Sequence, residues 1–61
     1  MDIYGETLEE LENYFESIGE KKFKAIQVYD WLYKKRVKSF SDMSNIKKDV
    51  ITILERDFTI S

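Results

Sequence analysis

The 61-residue chain contains no cysteine, histidine or proline, and only Gly5 and Gly19 as glycines. Without cysteine there is neither a disulfide framework nor a thiolate metal site. The lack of histidine removes the commonest metal ligand and the commonest general base. No apolar run approaches the ~20 residues needed to span a bilayer, and no signal-peptide pattern opens the chain. These absences lead to the expectation of a cytoplasmic domain without membrane attachment. The absence of proline and of any repeat leaves no internal boundary, so residues 1–61 are expected to form one domain. What remains is rich enough for a core: 43% of the residues are apolar and nine are aromatic. This argues against intrinsic disorder, although the length lies near the lower limit for unaided folding.

A net charge of −2 conceals strong segregation. Residues 1–20 carry Asp2, Glu6, Glu9, Glu10, Glu12, Glu16 and Glu20 with no base, a charge of −7. Residues 21–48 carry nine Lys or Arg against Asp30 and Asp42, a charge of +7. Local fields act within a Debye length of ~10 Å, so near-neutrality of the whole does not exclude a polyanionic partner. Any such partner must approach away from the acidic first third.

Helical periodicity runs through the chain with no competing strand alternation, and predicts an all-α bundle of three helices plus a short helical turn. Thr7 and Glu10 have the spacing of a capping box, and Leu8, Leu11, Tyr14, Phe15 and Ile18 follow on one arc, giving a helix over 8–18. Gly19 is its stop. The second helix is expected over 23–35, with Ala25, Ile26, Val28, Tyr29, Leu32 and Tyr33 as its apolar stripe. Lys34, Lys35 and Arg36 then fall in its last turn, where cations meet the negative end of the helix dipole. Ser39 or Ser41 starts the short helical turn. A third helix is predicted over 46–57, with Ile46, Val50, Ile53 and Leu54 inward. Phe23 and Phe40 bracket the second helix and read as core closures.

The candidate ligand surface is basic. Lys21, Lys22 and Lys24 stand at the start of the second helix, where free N–H groups suit an anion, and Lys34, Lys35, Arg36 and Lys38 stand at its end. The rival reading is a solvated face balancing the glutamates. Trp31 falls among Lys24, Gln27, Lys34 and Lys35. It fits either a base-stacking platform or a large side chain covering the core, with the greater weight on cover. Glu9, Glu12 and Glu16 have no second group converging on them and read as solvated. No nucleophile–base pair and no Gly-rich phosphate loop is present, so the isolated chain is expected to be non-catalytic and to hold no cofactor.

The stretch "TLEELENYFESIGEKKFKAIQVYDWLYKKRVKSFSDMSNIKK" closely resembles the N-terminal region of the radical-SAM methyltransferases that methylate adenine carbon 2 in 23S rRNA and certain tRNAs. A sister group methylates carbon 8 of the same ribosomal adenosine. The pattern is a short acidic helix, Gly19-Glu20-Lys21, then Phe23, Ala25, Gln27, Trp31, Tyr33, Ser39-Phe40, Met43 and Asn45, over residues 4–58. As an ordered set it is specific; each motif alone is not. The sequence departs from the pattern at Lys24, often arginine in the family, and at Lys47, often serine or proline. The resemblance implies an accessory helical domain, similar to helix-hairpin-helix modules, preceding a partial (β/α) barrel. That barrel carries a [4Fe–4S] cluster and S-adenosylmethionine. It further implies RNA (23S rRNA and tRNA) as partner, and the domain is expected to be a monomer. The rival readings are a protein-interaction module docking by the Trp31/Tyr33 surface, for example on its own catalytic domain, and a structural cap without a ligand.

Overall fold

The computed structural model describes residues 1–61. Three helices form, α1 (Leu8–Ser17), α2 (Phe23–Tyr33) and α3 (Lys48–Asp57), with short 3-10 turns at Ile3–Gly5 and Phe40–Asp42. No sheet is present, so the all-α expectation holds; one isolated bridge, Asp2 with Thr59, ties the two ends of the chain. Around it the Ile3 amide donates to the Thr59 carbonyl at 2.9 Å and the Thr59 amide to Met1 at 2.8 Å.

Helix α1 begins as its sequence requires. The Thr7 hydroxyl accepts from the Glu10 amide at 3.1 Å, and the Glu10 carboxylate accepts from the Thr7 amide at 2.8 Å. Two otherwise orphaned donors are thereby satisfied. At the far end Gly19 takes φ +80°, and the Glu20 amide reaches back to the Phe15 carbonyl at 2.8 Å while Gly19 reaches Glu16 at 3.1 Å. This is the Schellman closure, which needs a left-handed residue at the position that glycine occupies. Ser39 caps the second 3-10 turn, as one of the two predicted starts.

Four expectations need correction. Helix α2 ends at Tyr33, not at residue 35, so Lys34 is its cap and Lys35 and Arg36 lie beyond the last turn. The run Lys34-Lys35-Arg36 is made of good helix formers, but Arg36 adopts φ +53° and the Val37 amide turns back to the Trp31 carbonyl at 3.2 Å. Helix α3 begins at Lys48, because Lys47 is extended and Ile46 sits in a turn closed on the Met43 carbonyl at 3.1 Å. Its inward stripe is Val50, Ile51 and Leu54, with Ile53 only half-buried. On α2, Phe23, Ile26 and Tyr33 are exposed, so Phe23 closes no core and the buried stripe narrows to Ala25, Val28 and Leu32.

The core is a single cluster of apolar side chains drawn from every element, among them Ile3, Leu11, Phe15, Leu32, Met43, Leu54 and Phe58. No polar side chain is buried. Helix α1 packs on α2, and the Phe40–Asp42 turn packs on α3. Tyr14 bridges the first and last helices: its hydroxyl donates to Asp57 at 2.8 Å, and its ring meets Phe58 edge-on at 4.9 Å. Phe40 is buried, as its expected closing role requires.

Candidate nucleic-acid interface

At ~100° per residue, α2 presents three faces. Ala25, Val28 and Leu32 point to the core. Lys24, Gln27 and Trp31 project along one flank, where Lys35 reaches over Trp31 from beyond the helix end, and Ile26, Tyr29 and Tyr33 lie along the other. Trp31 and Tyr33 are therefore about 200° apart around the axis, on opposite flanks.

The two predicted basic groups differ in how their charge is used. At the start of α2, Lys24 Nζ lies 2.7 Å from Glu20 Oε1, and both side chains are mostly sheltered. That contact holds the Glu20 carboxyl below its usual range. Lys22 lies 3.8 Å from Glu16. The Lys24 and Ala25 amides already donate to the Lys21 and Lys22 carbonyls at 3.1 and 2.9 Å, so this helix start has few donors to spare. An anion, Glu20, already stands there. Exposed pairs such as that of Lys22 contribute little to stability, but they still offset the local field.

The end of α2 is different. Lys34 approaches Asp30 at 3.8 Å, whereas Lys35, Arg36 and Lys38 form no ion pair, nor does Lys21 at the other end. Lys35 instead places its ammonium 4.6 Å from the centre of the Trp31 ring, a cation–π contact. Arg36 and Lys38 flank a shallow hollow lined also by Tyr4, Val37, Ile60 and Ser61. Arg36 holds its left-handed backbone without being glycine, a conformation costing roughly 1–2 kcal/mol.

Trp31 is half-buried against the core, and its indole N–H donates to Asn45 Oδ1 at 2.7 Å. The ring thus joins α2 to the turn before α3, while a small hollow beside it is edged by Gln27, Asp30, Lys35 and Asn45. Sequence reasoning missed the role of Asn45 and the conformation of Arg36. Asn45 belongs to the family pattern but carries no local signal of its partner. Arg36 carries none at all, because a left-handed position announces itself only when glycine fills it.

The donor set does not suit an iron–sulfur cluster. The chain lacks cysteine, and nowhere do three His, Cys, Asp or Glu side chains gather around a point.

Residues 1–60 match the family model described as "Ribosomal RNA large subunit methyltransferase N-terminal domain". The chain is 56% identical over 59 residues to the protein named "Probable dual-specificity RNA methyltransferase RlmN" from Enterococcus faecalis. It is 52% identical over 59 residues to the protein of the same name from Streptococcus thermophilus. In each case 97% of this chain is covered, but it spans only about 16% and 15% of those relatives. A crystal structure of a radical SAM methyltransferase from Sphaerobacter thermophilus superposes on the whole chain with a TM-score of 0.94. That match covers 18% of the larger chain at 24% identity, and shows a shared fold. No helix is long and apolar enough to cross a membrane. The chain belongs to the ribosomal RNA large subunit methyltransferase N-terminal domain family.

Proposed function

We propose that this domain is the RNA-engaging, non-catalytic N-terminal unit of a cytoplasmic, monomeric radical-SAM methyltransferase that modifies adenine carbon 2 in 23S rRNA and tRNA. The iron–sulfur cluster would be held by the rest of the enzyme, since this chain has neither cysteine nor a metal-ligating cluster, and S-adenosylmethionine would be held there with it. The observation that carries the reading is the group of unpaired cations at the end of α2: Lys35, Arg36 and Lys38. A left-handed arginine with no carboxylate partner is a backbone kept in an unfavourable conformation while its side chain stays free for a ligand. Phosphodiester oxygens fit a guanidinium and a nearby ammonium, and such contacts position RNA without reading its sequence. Lys21, Lys22, Lys24 and Lys34 add long-range field and rank below this group, because all but Lys21 already face a carboxylate. Trp31 contributes as a stiff wall under Lys35, with one edge tied to Asn45.

The test is titration of labelled ribosomal and tRNA hairpins at several salt concentrations. Affinity should fall steeply with salt, and replacing Lys35, Arg36 and Lys38 with alanine should flatten that dependence by up to about three contacts' worth. Replacing Glu9, Glu12 and Glu16 should leave the slope nearly unchanged. If wild type shows no salt-dependent affinity, or the glutamate triple shifts the slope as much as the basic one, the reading fails.

A further inference from the structure

The second flank of α2 has no part in the proposed RNA surface. Phe23, Ile26 and Tyr33 are 53%, 48% and 43% exposed, and together with Met1 they are the large apolar side chains left open by the fold. At helical spacing Phe23, Ile26, Tyr29 and Tyr33 make one continuous row, about 15 Å long at the helical rise. The row is ordered from within. Tyr29 and Tyr33 have ring centres 4.4 Å apart, Tyr4 meets Tyr33 edge-on at 5.2 Å, and the Tyr4 hydroxyl donates to the Leu32 carbonyl at 2.8 Å. Rigid aromatic rows flanked by polar groups are the composition of interface cores, where little side-chain freedom remains to be lost.

Charge argues against RNA as the occupant. Asp30 borders the row, and the neighbouring cations Lys22 and Lys34 are paired with Glu16 and Asp30. Position favours another occupant. The family is an N-terminal domain, and this chain spans about 16% of its Enterococcus relative. Ser61 lies in the hollow that Tyr4, the ring ending the row against Tyr33, shares with Arg36 and Lys38, where the row meets the basic end. A segment continuing from Ser61 therefore starts beside the aromatic row, at a high effective concentration.

We propose that the Phe23–Ile26–Tyr29–Tyr33 flank of α2 docks on the catalytic portion that follows this domain in its own enzyme. The Lys35–Arg36–Lys38 end then faces RNA, and the aromatic row, which adjoins that end at Tyr4 and Tyr33, fixes it relative to the reacting centre. Hydroxyl-radical footprinting of the full-length enzyme beside the 61-residue chain tests this. Oxidation of Phe23 and Tyr33 should fall several-fold in the longer protein, while Trp31 on the opposite flank changes little. Ile26→Glu should leave the melting temperature of the 61-residue chain unchanged, because the site is exposed. In the full-length enzyme it should abolish the protection and speed proteolytic release of the domain. Equal labelling of Phe23 and Tyr33 in the two proteins overturns the proposal. So does self-association of the short chain that Ile26→Glu abolishes, which would assign the row to a second copy. Protection of the row by an RNA hairpin in the short chain would assign it to nucleic acid and overturn the proposal equally. None of these results depends on whether the basic end binds RNA, so the two readings stand or fall separately.

Discussion

Replacing Arg36 with glycine separates what the backbone wants at the end of α2 from what the side chain does. Arg36 sits at φ +53°. A left-handed residue with a Cβ costs roughly 1–2 kcal/mol, and glycine removes that cost in the folded state. Glycine also adds freedom to the unfolded chain, an opposing effect of about 0.4–1 kcal/mol. Loss of the cation near the helix C-terminus subtracts at least a few tenths of a kcal/mol more. Arg36→Ala loses the same cation and keeps the strain, so the pair isolates the backbone contribution. Arg36→Gly should be more stable than Arg36→Ala by about 1 kcal/mol, equivalent to a melting temperature higher by about 4–8 °C in a domain this small. Thermal unfolding followed by circular dichroism at 222 nm measures the difference. Both variants should weaken RNA hairpin binding to the same extent, because both lack the guanidinium. A stabilised protein with weakened binding is the expected signature of strain retained for a ligand. If Arg36→Gly melts no higher than Arg36→Ala, the strain argument is wrong. If binding survives in both, Arg36 touches no phosphate.

Leu54 is fully buried, and Leu54→Ala should cost about 2–5 kcal/mol. A domain of this length holds only about 3–9 kcal/mol in total, so urea titration should find roughly half of the stability gone and the midpoint moved to much lower urea. Thr7→Ala, which removes the capping hydroxyl, should lower stability by about 1 kcal/mol by the same assay, with no change in RNA affinity. The Asp57 carboxyl is held down to about 2 by the Arg56 guanidinium and then by the Tyr14 hydroxyl. A carboxyl depressed in the folded state stabilises above its unfolded value near 4, and that contribution is lost as pH falls from about 4 to about 2. The gap in urea midpoint between wild type and Asp57→Asn should accordingly be constant from pH 7 to 5 and shrink toward pH 2. A gap that stays constant to pH 2 would show that neither the Arg56 pair nor the Tyr14 bond favours the ionised carboxylate.

Much of this domain was legible locally. The start and stop of α1 depend on residues within a few positions of one another, and Thr7, Glu10 and Gly19 carry that chemistry in their own side chains or lack of one. The all-α class followed from the 3.6-residue period of the apolar residues, and the segregation of charge was visible in composition alone. The resemblance to the methyltransferase domain likewise rested on an ordered set of residues, and the family match over residues 1–60 agrees with it.

What the tertiary structure decided is every feature that depends on partners distant in sequence. Helical periodicity placed Ile26 and Tyr33 in the core and the place of Phe23 beside α2 suggested a core closure, but only the packing of α1 against one side of α2 determines which apolar flank is covered. Basic residues at the two ends of α2 look equivalent in sequence. The pairing is local, Glu20 lying four residues before Lys24 and Glu16 six before Lys22 across the turn at Gly19, whereas Arg36 and Lys38 stay unpaired at the other end. The seven residues before α1 and the four after α3 carry no periodic signal, yet Ile3 and Phe58 are buried because the chain ends pair across Asp2 and Thr59. Period and capping report short-range geometry. Which face is buried is set by residues that meet only after the chain has folded.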